Sequence, residues 1–579
     1  MSDASFDWRE FLGRWQDEWV PRADEDGGEA AVPLGAPGAD EIAIVAAEER
    51  LGRRLPPSYR EFLAASDGWQ VDQLAAIYRL GGVADVDWFG DPHDMASLYE
   101  EGLDDDPREE DVLLAGMWRR ALRLDTESDA SYALLDPGDS DADGEWALYV
   151  YKGWSGETPD RHPSFRAYME AVYRAFHADR AERPDFVNAT TRAQDARVEE
   201  ARRLSLRGRY EEALPLLDEA RSFGRPWSGV LLDQVRHLLA PGSEGLAAQA
   251  LAPAGGAGAQ SGGEHWDRAV AEAREAARWG PNDAAWRVLR DALPRWEAPG
   301  PWLIAPVGLL ADPLLGPMIT PERGREILAT PRAGESGSAP EPVPDLDPPG
   351  LAWLTDRPGN REPFDGYRCV WVEGTDPARL PSLIGEVGAE PSEPTDPLRA
   401  SWRAPKPHER EGVELWEDRA VVAVGRTEEG WAFAFDGYSH HSLSTLFRSP
   451  AVDASASGRA VVVWCDPRRP APDEHPVAFH LSVAEHGEEL YSFTVRGTEI
   501  QRSGALPGAL DPDRLFRPED RGTDGERRAL QALHTTLGLS LPRLALTRGR
   551  LHTFTTRSWT RAPGADEGYA YLTFVRHRP

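Results

Sequence analysis

The chain is expected to fold as a multidomain α+β protein, and three features of its 579 residues predict this. Amphipathic helices flank a run of short alternating strands in the first third. An Ala-, Leu- and Arg-rich helical stretch occupies the middle, and strand patterns dominate after a proline-rich stretch. The length leaves room for about three to five cores of roughly 150 residues each. The composition shifts mark an α+β domain over 1–185, a helical segment over 193–300, a proline-rich linker over 301–350 and a β-rich α+β domain over 351–579.

A Trp-bearing helix is expected over 6–20, followed by a loop rich in Gly, Pro and acid to residue 39. Asp40 can cap a helix with Ile44, Glu48 and Leu51 at helical spacing, and Gly52 is placed to end it. Pro56 and Pro57 open a second helix, where a missing N–H costs nothing, and Tyr59, Phe62 and Leu63 share one face. Asp67 and Gly68 close that helix and deliver Trp69 to the core. The stretches LAAIYRLGG, RALRLDTES, SYALLDPG and EWALYVYKGWSG read as strands of one meandering sheet. Ser164 then caps a helix with Phe165, Tyr168, Met169, Val172 and Phe176 on one stripe.

The order Glu48, Leu51-Gly52, Leu55-Pro56, Tyr59-Arg60, Phe62-Leu63 and Asp67-Gly68-Trp69 resembles the signature of the SUKH superfamily, also called the Smi/Knr family. The strands and the late Ser-Phe helix extend the resemblance over residues 40–180. The resemblance implies protein binding: many bacterial members are immunity proteins that neutralise toxins, often nucleases, and fungal members are regulatory scaffolds.

In the middle, GRYEEALPLLDEA (208–220) and WDRAVAEAREAARWGPN (266–282) look like second helices of tetratricopeptide repeats. In each, an aromatic ring is followed by Ala213 or Ala269 and then by Ala220 or Ala276, small residues that let helices approach closely. The copies lie 56 residues apart, and Pro215 interrupts the first. The tract APAGGAGAQSGG (252–263) reads as a flexible insertion. Beyond the linker, strands are expected in YRCVWVEG, AVVAVGR, WAFAFDG, RAVVVWC, VAFHLSVAEHG and ELYSFTVRG, followed by a helix over 525–539 and a last strand over 569–577.

The formal charge of −34 opposes direct binding to nucleic acid or to an anionic membrane and favours a basic or neutral protein partner. Residues 1–180 hold 40 acids against 17 bases, so −23 of that charge lies in the first third. The two cysteines, Cys369 and Cys465, are too few for a disulfide framework, which fits a reducing cytoplasm. No signal-peptide pattern and no apolar run of membrane-spanning length is read in the chain. Lysine occurs only at Lys152 and Lys406, the mark of a GC-rich genome such as an actinobacterial one.

Candidate chemistry is sparse. Tyr438, Ser439, His440, His441 and Ser442 follow one strand, and Cys465-Asp466 ends another. A Cys/His or Ser/His pair acts as a nucleophile only if folding sets it at hydrogen-bond distance, which nothing in the spacing requires. Glu474, His475, His480, Glu485 and His486 have metal-ligand side chains, but positions 475 and 480 of an alternating strand point to opposite faces. No P-loop, dinucleotide-binding glycine pattern or HExxH is present, so no cofactor is expected. Asp85, Asp87, Asp91 and Asp94 instead gather around Trp88 and Phe89, a pairing of charge and rings suited to a basic protein surface. The acids at 104–106 and 109–111 read as a solvated loop.

With the SUKH resemblance, which implies the immunity role, the expectation is a cytoplasmic, non-catalytic binding protein of immunity type that covers a basic toxin domain through Asp85, Asp87, Trp88, Phe89, Asp91 and Asp94. The alternatives are a regulatory scaffold acting through the helical segment and an enzyme housed in the C-terminal domain.

Overall fold

The structure, a computed structural model, describes residues 6–20, 33–71, 76–241, 262–356, 364, 366–402, 410, 412–437, 446–466 and 478–567. Asp7 caps the first helix, Trp8–Glu18, by accepting from the Glu10 amide at 3.0 Å, and Trp8, Phe11, Leu12 and Trp15 form its buried stripe. Asp40 caps Glu41–Leu51 through the Ala43 amide at 2.8 Å, and Gly52 ends it in the left-handed conformation at φ 68°. Ile44 and Leu51 turn inward as their spacing requires. Glu48 does something else: its carboxylate accepts from the Leu55 amide at 3.0 Å and from Arg60 Nε at 3.2 Å, pinning the turn into the next helix.

That helix, Pro57–Ala65, starts at its proline and buries Tyr59, Phe62 and Leu63. Residues Ser66–Gln70 then form a strand, in which Trp69 pairs with Gly35 on one side and Leu80 on the other. The single meander expected from the sequence is in fact two antiparallel sheets. One has strand order Gly35–Pro37, Ser66–Gln70, Ile77–Leu80, Asp125–Ser128. The other has order Asp87–Trp88, Leu122–Arg123, Ser131–Ser140, Trp146–Lys152, Asp160–His162. The break falls at Asp125, whose carboxylate takes the Ala133 amide at 2.8 Å where a backbone carbonyl would have continued the ladder. A polar side chain at that position ends one pairing and frees the chain to join the other sheet.

Two helices cover the second sheet. Met95–Glu101 and Glu109–Arg120 bury Ala96, Met117 and Trp118 against Phe89, Leu134 and Tyr149. The acids expected in a solvated loop include Glu109, Glu110 and Asp111, which form the first turn of the longer helix, with Arg119 and Arg120 in its last. Both placements complement the helix dipole. Ser164 caps Phe165–Asp179 through the Ala167 amide at 3.1 Å, and Phe165, Tyr168, Met169, Val172 and Phe176 are all buried in the main core.

The chain divides into two compact units, Met1–Arg203 with Glu211–Leu232, and Leu204–Tyr210 with Asp233–Pro579. The two repeat-like helices therefore fall in different units: Tyr210–Ser222 belongs to the first apart from its opening tyrosine, and Glu264–Ala277 to the second. Ala213 and Ala220 are buried as their spacing predicts, but in the second helix Ala273 and Ala277 face the core and Ala276 does not. Most of the tract over 252–263 lies outside the described residues.

The stretch 301–350, expected to be a linker, contains the helices Gly308–Ala311 and Pro321–Ala329 and buries Leu303, Ile304, Leu315, Met318, Ile327 and Leu328. Its prolines sit at helix starts, in turns or in irregular chain, where they are compatible with packing. The C-terminal part is an eight-stranded antiparallel sheet. Its order is Glu499–Gly504, Glu488–Arg496, Ala478–Glu485, Arg459–Asp466, Tyr367–Glu373, Trp431–Asp436, Val421–Arg426, His552–Thr555. One face packs beneath the Asp524–Leu537 helix, the other beneath Leu380–Ile384 and Ala451–Ala454. The strand expected over 569–577 lies outside the described residues.

Candidate functional site

The acidic, ring-bearing segment of the first unit is held by fixed elements. Asp87 and Trp88 form the edge strand of the five-stranded sheet, paired with Arg123 and Leu122. Both side chains are exposed, Trp88 to 37 %. Phe89, expected as a second exposed ring, is only 8 % exposed and packs 4.8 Å from the Tyr132 ring and 6.2 Å from that of Trp118. Phe89, just past the strand, turns into this packing while Trp88 stays outside, so the two rings do not share a surface.

The four aspartates differ in role. Asp85 is exposed and accepts from the Gly82 amide at 3.0 Å, closing a turn. Asp91, at φ 44°, accepts the Met95 and Ala96 amides at 2.8 and 2.9 Å and so satisfies the open end of the Met95–Glu101 helix. Asp94 is exposed at φ 53° and accepts from Ser97 Oγ at 2.7 Å. Between residues 85 and 111 there are 12 acids and one base, Arg108, a net of −11. Arg108 pairs with Asp111 at 2.9 Å, and Arg119 from the end of the covering helix pairs with Glu100. Exposed pairs of this kind add little stability and leave most of the negative field in place.

Three further residues of this domain were not singled out from the sequence. Leu98 is 62 % exposed on the Met95–Glu101 helix, off the stripe made by Met95, Ala96 and Tyr99, and helical spacing could have revealed it. Trp154 is 64 % exposed in the turn after Trp146–Lys152. His93 lies 3.0 Å through Nε2 from the Tyr132 hydroxyl, a contact made across the fold and invisible to local pattern.

The other candidates give no assembled chemistry. Residues 438–442 and 474–475 lie outside the described residues. Cys465 is fully buried within a strand. His480 is buried with Nδ1 2.8 Å from Thr494 Oγ1, and burial pushes its imidazole down to about 3, with the nearby Arg496 acting in the same direction. Among the described residues, no group of three or more His, Cys, Asp or Glu side chains is placed to hold a metal ion, and no helix is long and apolar enough to cross a membrane.

The segment that contains the acidic face, from residue 38 to 171, matches the family model of the SMI1 / KNR4 family (SUKH-1). Residues 38–171 are a SUKH-1 domain. The SUKH-1 match takes in the five-stranded sheet and all of the four-stranded one except its Gly35–Pro37 edge strand, and ends inside the Phe165–Asp179 helix. No curated protein and no solved structure matches the chain.

Proposed function

We propose that this is a non-catalytic protein of immunity type, acting in the cytoplasm, whose SUKH-1 domain occludes a basic toxin domain. The observation that carries the reading is the net charge of −11 over 85–111, displayed on a strand edge, two helices and the turns that join them, with Trp88 and Leu98 exposed among the acids. Charge of one sign on a fixed surface speeds the encounter with an oppositely charged protein, and exposed apolar side chains slow its dissociation. Occlusion needs an interface on the order of 1,600 Å². Asp85, Asp87, Asp91 and Asp94 supply the steering charge and Trp88 the anchor, while Phe89 supports the face from beneath.

The test uses the full chain. After a partner is identified by crosslinking, its association rate is measured at several ionic strengths against wild type and against Asp85, Asp87, Asp91 and Asp94 replaced together by Asn. Asn keeps one acceptor oxygen at each position, which is enough for the turn at Gly82, while at position 91 one of the two amide contacts to Met95 and Ala96 is given up along with the charge. Slower association with a flatter salt dependence is expected, while Trp88→Ala speeds dissociation. An association rate that neither responds to salt nor changes in the fourfold variant rules out the acidic face. Failure of the co-expressed chain to protect cells from its partner rules out immunity.

A further inference from the structure

In the second unit, residues 341–350 (EPVPDLDPPG) run without helix or strand from the end of the helical part into the sheet domain. Four prolines leave few amides, and three of those present are held by carboxylates rather than by backbone. Val343 donates to Glu326 Oε2 at 3.2 Å, Leu346 to Asp283 Oδ1 at 3.1 Å and Asp347 to Asp283 Oδ2 at 2.8 Å. The segment's own acids reach outward. Asp347 Oδ1 accepts the Leu544 amide at 2.7 Å, and Asp345 accepts from Arg287 at 2.6 Å. A cleft of about 180 Å³ adjoins the segment, lined by Asp283, Asp345 and Asp347 together with Glu428, Glu429 and His534.

The charges around Asp347 do not balance. From the Asn282–Ala292 helix come Asp283 and Arg287; from Pro321–Ala329 come Arg323 and Glu326. Arg323 is committed to a buried ion pair with Asp283, and Arg287 divides its guanidinium between Asp345 and Glu428. The turn after Val421–Arg426 adds Glu428 and Glu429, with Arg426 exposed at its start. His534 comes from Asp524–Leu537, its Nδ1 3.0 Å from the Leu539 carbonyl, and Arg543 is turned over the Trp353 ring. Asp347 makes no ion pair among the described residues, and it lies against the carboxylate of Asp283. A proton is the partner that this arrangement lacks.

We propose that residues 341–350 form a proton-gated strap, docked beside the cleft when the Asp347 carboxyl is protonated and released from Asp283 when it ionises. Burial pushes that carboxyl up to about 7; the Leu544 amide and the Arg323 charge oppose this, and the like charges of Asp283 and Glu428 add to it. A carboxyl whose docked value lies above its free value binds more protons docked than released. Docking is therefore favoured at low pH and weakens as pH rises through about 7. With a free value near 4, the docking equilibrium falls about tenfold between pH 6 and pH 8.

Hydrogen exchange of the full chain at pH 6 and pH 8, corrected for the intrinsic pH dependence of exchange, reads this directly. Peptides over 341–350 are expected to lose about tenfold protection at pH 8. Asp347→Asn, which keeps the acceptor for Leu544 but cannot ionise, should stay protected at both pH values. His534→Gln should behave as wild type, since the histidine is a bystander. The proposal is overturned by pH-independent protection in wild type, by Asp347→Asn keeping the tenfold change or exchanging fast at both pH values, or by His534→Gln abolishing the change.

Discussion

Replacing Trp69 by alanine tests whether the residue that ends the SUKH-1 sequence signature is core or recognition surface. The indole is 4 % exposed, with its ring 5.8 Å from that of Trp15, and it fills the space above Gly35, where a Cβ would fall 2.6–2.8 Å from the indole carbons. A buried aromatic of this kind hides some 150–250 Å². At about 25 cal/mol per Å² that is worth roughly 4–6 kcal/mol. Among the described residues the indole N–H meets no acceptor, so the native state already carries a penalty of about 1–3 kcal/mol that the alanine variant escapes. The net expected loss is about 1–5 kcal/mol, a range that takes in large-to-small aromatic deletions. For a unit of this size it lowers Tm by about 2–20 °C. Scanning calorimetry of the full chain measures the shift, and hydrogen exchange in Trp8–Glu18 and Phe165–Asp179 assigns it to this core. Trp69→Phe should lose less, because it keeps a ring and removes the unpaired N–H. A Trp69→Ala protein that melts like wild type but no longer binds its partner would refute the reasoning and make Trp69 a contact residue.

A Cβ at Gly324, inside Pro321–Ala329, would collide with the Leu238 carbonyl, so Gly324→Ala should cost about 1–3 kcal/mol or more by forcing two helices apart; a denaturation midpoint unchanged from wild type would contradict that close approach. Glu18 is buried and accepts from the Tyr173 hydroxyl at 2.5 Å and the Thr190 amide at 3.1 Å, with His177 Nε2 at 3.1 Å. Burial raises its carboxyl, but the hydrogen bonds from His177, Tyr173 and Thr190 outweigh burial and hold it below the ordinary value of 4.5. The stability it contributes is fully present above pH 4.5 and is lost as pH falls through the depressed value. Urea unfolding across this range should show a shallower acid limb for Glu18→Gln, and an acid limb identical to wild type would exclude Glu18 as its source.

The sequence by itself determined the elements whose signals are local. Asp40, Gly52, Pro57 and Ser164 mark helix ends through hydrogen bonds or dihedral angles set within a few residues, and the stripe from Phe165 to Phe176 follows from helical period alone. The register of Glu48, Tyr59, Phe62 and Trp69 was likewise enough to identify the SUKH-1 scaffold, because each residue is a core or turn position that the fold cannot vary freely. The acidic character of 85–111 was also legible, being a property of composition.

Tertiary structure decided what depends on partners distant in sequence. The split into two sheets turns on the Asp125 carboxylate capturing the Ala133 amide, and a strand pattern does not say which strand it will pair with. Trp88 stays at the surface and Phe89 does not, because the Glu109–Arg120 helix brings Trp118 onto one face of that edge strand and leaves the other open. The proline-rich stretch reads as a linker until Asp283, Glu326 and Leu544, supplied from up to 200 residues away, satisfy its amides and its Asp347 carboxylate. Local sequence sets the conformations a segment can adopt, but burial and hydrogen bonds from elsewhere in the chain select one, and the acidic face and the strap both belong to that second kind.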